Sequence, residues 1–264
     1  MRHFSNNRSI ILITLFAIVV FVAVVVAGKM YLTSSTEKEV QASSGVNVNS
    51  SNTDIEKVDF KGKALKYSPI GDSLTAGFYA STEDKKFTNV LAKTLEKEFN
   101  FDVTVAGDDK YGGVLARGVN AIPVINEQKP DLVSIEFGTN DCNKQNHVPI
   151  KTFREQLNTL IDGVTKDANR DPQMVLVTTW NQGAQCEPYD EVIKNVGQER
   201  DIPVADVKTI WQDSSTKGPA NVKTYKGPSD DFHPNDNGME QIAQTIFGEI
   251  KEPLKEKTLK EDKQ

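Results

Sequence analysis

Short apolar runs and amphipathic stretches alternate along most of this chain, and that alternation limits the folds open to it more than any other feature. The candidate strands are 63–69 (KALKYSP), 101–106 (FDVTVA), 131–137 (DLVSIEF), 174–180 (MVLVTTW) and 202–206 (IPVAD). Between them Phe87, Val90, Leu91 and Leu95 recur at helical spacing, as do Phe153, Leu157, Leu160, Ile161 and Val164, and then Val192, Ile193 and Val196. A last helix carries Met239, Ile242, Ala243, Ile246, Phe247 and Ile250. Strands alternating with helices predict an α/β domain, a parallel sheet covered by helices on both faces. Sites in such sheets form beyond the carboxyl ends of the strands, so the polar clusters that follow each strand are where chemistry is expected.

Those clusters are specific in composition. Gly71-Asp72-Ser73-Leu74-Thr75-Ala76-Gly77 follows the first strand, Gly107-Asp108-Asp109 the second and Gly138-Thr139-Asn140-Asp141 the third; Asp230-Asp231-Phe232-His233-Pro234 precedes the last helix. A serine hydroxyl is a poor nucleophile until a neighbouring base takes its proton, and neutral imidazole suits that task. His233 is one of three histidines; His3 precedes an apolar segment, which leaves His147 as the competitor. Asp230, three residues before His233, can reach the far ring nitrogen and hold the tautomer. A tetrahedral intermediate needs donors for its oxyanion, and the N–H groups of Ser73 and Gly107 with the Asn140 amide supply three. Asp72 reads as a local hydrogen-bonding partner for the serine loop, Asp141 as a helix N-terminal or structural residue and His147 as a solvated residue at the rim. Trp180 fits either the substrate pocket or the core, and Trp211 the core.

Residues 10–27 (IILITLFAIVVFVAVVVA) are apolar apart from one Thr, long enough with their flanks to span a bilayer. Arg2 and Arg8 precede the run and Lys29 follows it, an asymmetry that puts the N-terminus in the cytoplasm and the rest outside. Expected segments are therefore a cytoplasmic 1–8, a transmembrane signal-anchor at 9–28, a linker at 29–58, a globular domain at 59–251 and a charged, fraying tail at 252–264. A cleaved signal peptide is the alternative, with Val25 and Ala27 small enough for a cleavage site, and gives a secreted protein. The linker is rich in Ser, Thr, Asn and Glu; a coil of its length spans roughly 30 Å. The net charge of −6 is interspersed, so no basic face points to a nucleic-acid partner and the charge identifies no other; a monomer is expected. No H-E-x-x-H, C-x-x-C, Walker loop or G-x-G-x-x-G occurs, so neither metal nor cofactor is expected.

Taken together, GDSLTAG, the glycine block, GTND and DxxH resemble the ordered blocks of the SGNH (GDSL) hydrolase family, from about Lys63 to Ile250. The stretch VAGDDKYGGVLARG is similar to the branch of bacterial acyl-thioesterases, lysophospholipases and esterases. The resemblance implies a three-layer α/β/α flavodoxin-like fold with a five-stranded parallel sheet. It also implies a catalytic set of Ser73, Asp230 and His233, with Ser73, Gly107 and Asn140 as the oxyanion hole. In that fold the loops bearing Cys142 and Cys186, the only cysteines, overhang the same edge, and one disulfide is expected between them. Pro69 is expected to end or bulge the first strand, and 213–230 is a loop of undetermined shape. The resemblance leaves open lipid-like acyl esters or glycan acetyl groups as substrates, and transfer in place of hydrolysis.

Overall fold

The computed structural model describes residues 58–108, 113–165, 171–180 and 183–263. The expected segments 1–8 and 9–28, and the linker apart from Val58, lie outside the described residues. Among the described residues no helix is long and apolar enough to cross a membrane.

The chain runs β1 (Ala64–Gly71), α1 (Phe87–Phe99), β2 (Asp102–Val105), α2 (Leu115–Asn120), α3 (Ile122–Gln128), β3 (Leu132–Glu136), α4 (Ile150–Thr165), β4 (Gln173–Val177), α5 (Glu187–Glu199), β5 (Val204–Ala205) and α6 (Lys208–Gln212). A small antiparallel hairpin, β6 (Lys223–Thr224) and β7 (Gly227–Pro228), and the long α7 (Asp236–Glu261) complete it. The main sheet has five strands in the order β2-β1-β3-β4-β5, all parallel. This is the doubly wound order in which crossovers change side at β1, so the loops after β1 and β3 open a crevice.

Period-2 alternation divides the core in two. On β4, Val175 and Val177 join α1 and α7 through Leu91, Leu95, Ile242 and Ile246 on one face. Met174 and Leu176 face the opposite way, onto Phe153, Leu157, Leu160 and Ile193 of α4 and α5. Each helix was expected on these apolar stripes. The pair α2 and α3 was not; Pro123 and the junction at Ala121 cut it into pieces too short to display a helical period.

Two expectations are corrected. The first strand does not end at Pro69 but pairs through it to Gly71, in register with Ser134 to Glu136 of β3. The missing N–H costs one ladder bond on the β2 side, where Asp108 N–H still donates to Pro69 O at 2.9 Å. Gly107, at φ +94°, makes room for the ring: a Cβ there would lie 2.2 Å from Pro69 O. The tail does not fray at 252 either, because α7 continues to Glu261 with Leu254 and Thr258 buried. Ile246, Ile250, Leu254 and Thr258 form an unbroken i+4 stripe, and Lys257 pairs with Asp171 at 3.0 Å. Burying a Leu contributes about 1.5–3 kcal/mol, so Leu254, with Thr258 buried beside it, goes far toward offsetting the roughly 3 kcal/mol cost of Pro253 inside the helix.

Cys142, just past β3, and Cys186, at the start of α5, form a disulfide with Cα atoms 5.1 Å apart. Both are buried, and the bridge ties the loop after β3 to the loop after β4. It closes 44 residues, a length for which chain entropy gives on the order of 3–4 kcal/mol. The Cys142→Ala/Cys186→Ala variant is expected to melt roughly 10 °C below the wild type, measured by circular dichroism. An unchanged melting temperature would mean that the bridge does not constrain this edge.

Candidate active site

Ser73 lies two residues beyond β1, in a loop stitched by its own backbone. Ala76 N–H donates to Asp72 O (3.0 Å), Gly77 N–H to Leu74 O (2.9 Å) and Phe78 N–H to Ser73 O (3.0 Å). Asp72 Oδ1 accepts from Leu74 N–H at 3.0 Å, the local role expected of it. No side chain is tolerated at Gly71, where a Cβ would meet Thr75 Oγ1 at 1.9 Å.

His233 arrives from the other side of the crevice, just before α7, whose N-terminus Asn235 caps by accepting from Gly238 N–H at 3.1 Å. Asp230 Oδ1 accepts the N–H groups of Phe232 (2.9 Å) and His233 (2.7 Å), turning the chain so that its Oδ2 meets His233 Nδ1 at 2.7 Å. With Nδ1 carrying the proton for that carboxylate, Nε2 is left as the acceptor. It lies 3.0 Å from Ser73 Oγ. The imidazole is held by rings, with Tyr79 and Phe232 edge-on at 5.1 Å and Phe78 at 6.0 Å. Tyr79 N–H also donates to Pro234 O at 3.2 Å and joins the two loops. Burial pushes the Asp230 carboxyl up, but the bonds from His233 and Phe232 outweigh it and hold the group below the usual carboxylate range. Ser73, Asp230 and His233, separated by up to 160 residues, are thus brought into contact as expected from the sequence.

The three expected oxyanion donors are not equivalent. Among the described residues the Ser73 N–H has no hydrogen-bond partner, so it is open to an incoming oxygen. The Asn140 amide faces the same loop, donating to Asp72 Oδ2 (2.9 Å) and to Gly113 O (3.3 Å). Gly107 departs from expectation: its N–H donates to Gln128 Oε1 at 2.8 Å, and Gln128 Nε2 donates back to Gly107 O at 3.1 Å. That donor is occupied, and Gly107 serves here to pass Pro69.

Of the residues around the site, Arg117, Tyr225 and Glu136 were not singled out in the sequence, whereas Trp180, Trp211, Asp141 and His147 were. Trp180 Nε1 donates to Phe232 O at 2.7 Å and anchors the His233 turn from the core, where the ring is fully buried. Trp211, packed on Trp180 and Phe232, takes the core role expected of it. Arg117 pairs with Asp108 and donates to Gly71 O, bracing the end of β1. Tyr225, on the β6–β7 hairpin, donates to Ala76 O at 2.7 Å. Asp141 lies in a turn and not at the start of its own helix; it accepts from Gly138 N–H (3.1 Å) and from Leu115 N–H (3.0 Å) at the start of α2, a structural role, and burial pushes its carboxyl up to about 6. His147 is exposed. Glu136, the last residue of β3, is buried directly under the serine loop; its signal in the sequence was a charge at the end of a strand that is otherwise Leu, Val, Ser and Ile. A broad cleft lined by Lys63, Asp131, Gln173 and Leu254 lies at the opposite edge of the sheet and takes no part in this site.

Residues 70–241 match the model of the GDSL-like lipase/acylhydrolase family. A search of curated proteins finds no match. Among solved structures, the lipase/acylhydrolase from Enterococcus faecalis shares 22% identity at a TM-score of 0.56, over 72% of this chain and 96% of that one. The Clostridium thermocellum family 3 carbohydrate esterase shares 16% at a TM-score of 0.60, over 73% and 98%. A two-domain esterase active on acetylated mannans shares 23% at a TM-score of 0.56; 72% of this chain is covered but only 49% of that one. These likenesses are of fold, and the family match spans the nucleophile loop, the GTND block and the DxxH turn. The chain belongs to the GDSL-like lipase/acylhydrolase family.

Proposed function

We propose that this chain is an acyl-ester hydrolase working outside the cytoplasm, with Ser73 as nucleophile, His233 as general base and Asp230 as the group that orients it. The reading is carried by one observation, the line from Asp230 Oδ2 through the His233 ring to Ser73 Oγ at 2.7 and 3.0 Å. Ser73 Oγ attacks the ester carbonyl as Nε2 takes its proton, and Asp230 stabilises the imidazolium. The oxyanion is received by the Ser73 N–H and the Asn140 amide, whose longer bond, to Gly113 O, is the one replaced. The imidazolium then protonates the leaving alcohol, and water deprotonated by the same ring releases the acid.

The location draws support from two independent features. The apolar run at 10–27 with its preceding arginines reads as an export signal or anchor. The buried disulfide suits an oxidising compartment. An acylated glycan is the substrate favoured, because two of the similar folds belong to a carbohydrate esterase and an esterase active on acetylated mannans.

The test is a p-nitrophenyl ester series from acetate to long chain, together with acetylated polysaccharide, incubated with the full-length protein. Release of acetate from the polysaccharide and a preference for short esters are expected. Turnover confined to long-chain esters would move the substrate to lipid. Acetyl appearing on an added glycan acceptor would identify transfer in place of hydrolysis.

A further inference from the structure

Glu136 is 1% exposed and shares its face of β3 with Leu132 and Ser134. Its Oε2 accepts from Thr75 Oγ1 (2.9 Å), Asp72 N–H (3.2 Å) and Thr75 N–H (3.3 Å), so it ties the serine loop to the sheet. Its Oε1 is buried and has no hydrogen-bond partner if the group is ionised. The buried carboxyl beside it belongs to Asp72, 0% exposed, whose backbone N–H already donates to Oε2. Asp72 in turn accepts from Leu74 N–H and from Asn140 Nδ2.

Two neighbouring buried carboxyls oppose each other's ionisation, and a proton shared between them would remove the repulsion and satisfy the orphaned oxygen together. The charged groups around the pair decide where that proton rests. Arg117, from α2, and His233 both act on Asp72 and favour its ionised form. Burial raises both carboxyls, and the Asp72 charge then raises Glu136 further, well above the ordinary range.

We propose that Glu136 is a positioning residue for acyl transfer. Held as the neutral acid, it donates a hydrogen bond to the Asp72 carboxylate, and the chain Glu136–Asp72–Asn140 aims the oxyanion amide and fixes the loop that presents the Ser73 N–H. The kinetic part of this inference rests on Ser73 being the nucleophile; the protonation of Glu136 does not.

The experiment uses the full-length protein and two variants. In Glu136→Gln a neutral amide donates to Asp72 and still accepts from Thr75. In Glu136→Ala both links are gone. The infrared difference spectrum of wild type minus Glu136→Gln, at mildly alkaline pH, is expected to contain the carbonyl stretch of a buried protonated carboxyl. Ester turnover should stay within about threefold of wild type in Glu136→Gln, while Glu136→Ala lowers kcat by about 30- to 100-fold with KM little changed. Absence of the carboxylic-acid band, or a Glu136→Gln variant as impaired as Glu136→Ala, would overturn the proposal. The band reports on Glu136 whether or not any ester is turned over, so failure of this proposal and failure of the hydrolase reading are separable. If Glu136→Ala does not fold, the band and the Glu136→Gln rates still decide.

Discussion

Replacing Ser73 with Ala is expected to lower ester turnover by about 10⁴- to 10⁶-fold, the scale on which a catalytic serine and histidine act as one unit. The loop around Ser73 is held by backbone bonds and by Asp72 and Thr75. The Ser73 hydroxyl itself touches His233 alone among the hydrogen-bond partners described. Removing it therefore leaves the loop intact, and the melting temperature should move by no more than about 2 °C. His233→Ala should lose a similar factor, and the double variant should be no worse than either single one. Steady-state rates on the best ester of the series check this; a Ser73→Ala variant within tenfold of wild type would remove Ser73 from the chemistry.

Asp230→Asn is expected to cost about 10³- to 10⁴-fold in kcat, with KM little changed. Oδ1 takes the Phe232 and His233 N–H groups, a role the Asn oxygen can keep, so the turn before α7 survives. Oδ2 is the acceptor for Nδ1–H. An amide NH₂ there meets the ring as a second donor and drives the proton to Nε2, which then cannot accept from Ser73. The effect is on the tautomer, not on substrate contact, which is why kcat carries it. Rates of Asp230→Asn and wild type on one ester decide the point, and a loss of less than tenfold would show that the ring finds its tautomer without Asp230.

Much of this site was readable before any coordinates because its chemistry is written in short windows. A serine loop, an Asn-bearing turn and an Asp-x-x-His turn each lie beside an element that hydrophobic period alone reveals. What escaped was nonlocal or lacked a period. The partner that occupies the Gly107 N–H, Gln128, lies 21 residues away on α3, a helix too short and too broken to be read as one. The β6–β7 hairpin has two residues per strand, and no local pattern separates that from a loop. The end of α7 was obscured by its charges, although Leu254 and Thr258 continue the stripe of Ile246 and Ile250. Pro69 was read as a break because the room made for it belongs to another strand's loop.

Ser73 as a base-activated nucleophile is central to the proposed chemistry, and covalent labelling tests that most directly. The full-length protein is treated with a serine-directed phosphonate, weighed intact and mapped by peptide mass. The prediction is one adduct per chain, on the peptide bearing Ser73, and none in Ser73→Ala. Equal labelling of the two proteins, or an adduct on another residue, would contradict it.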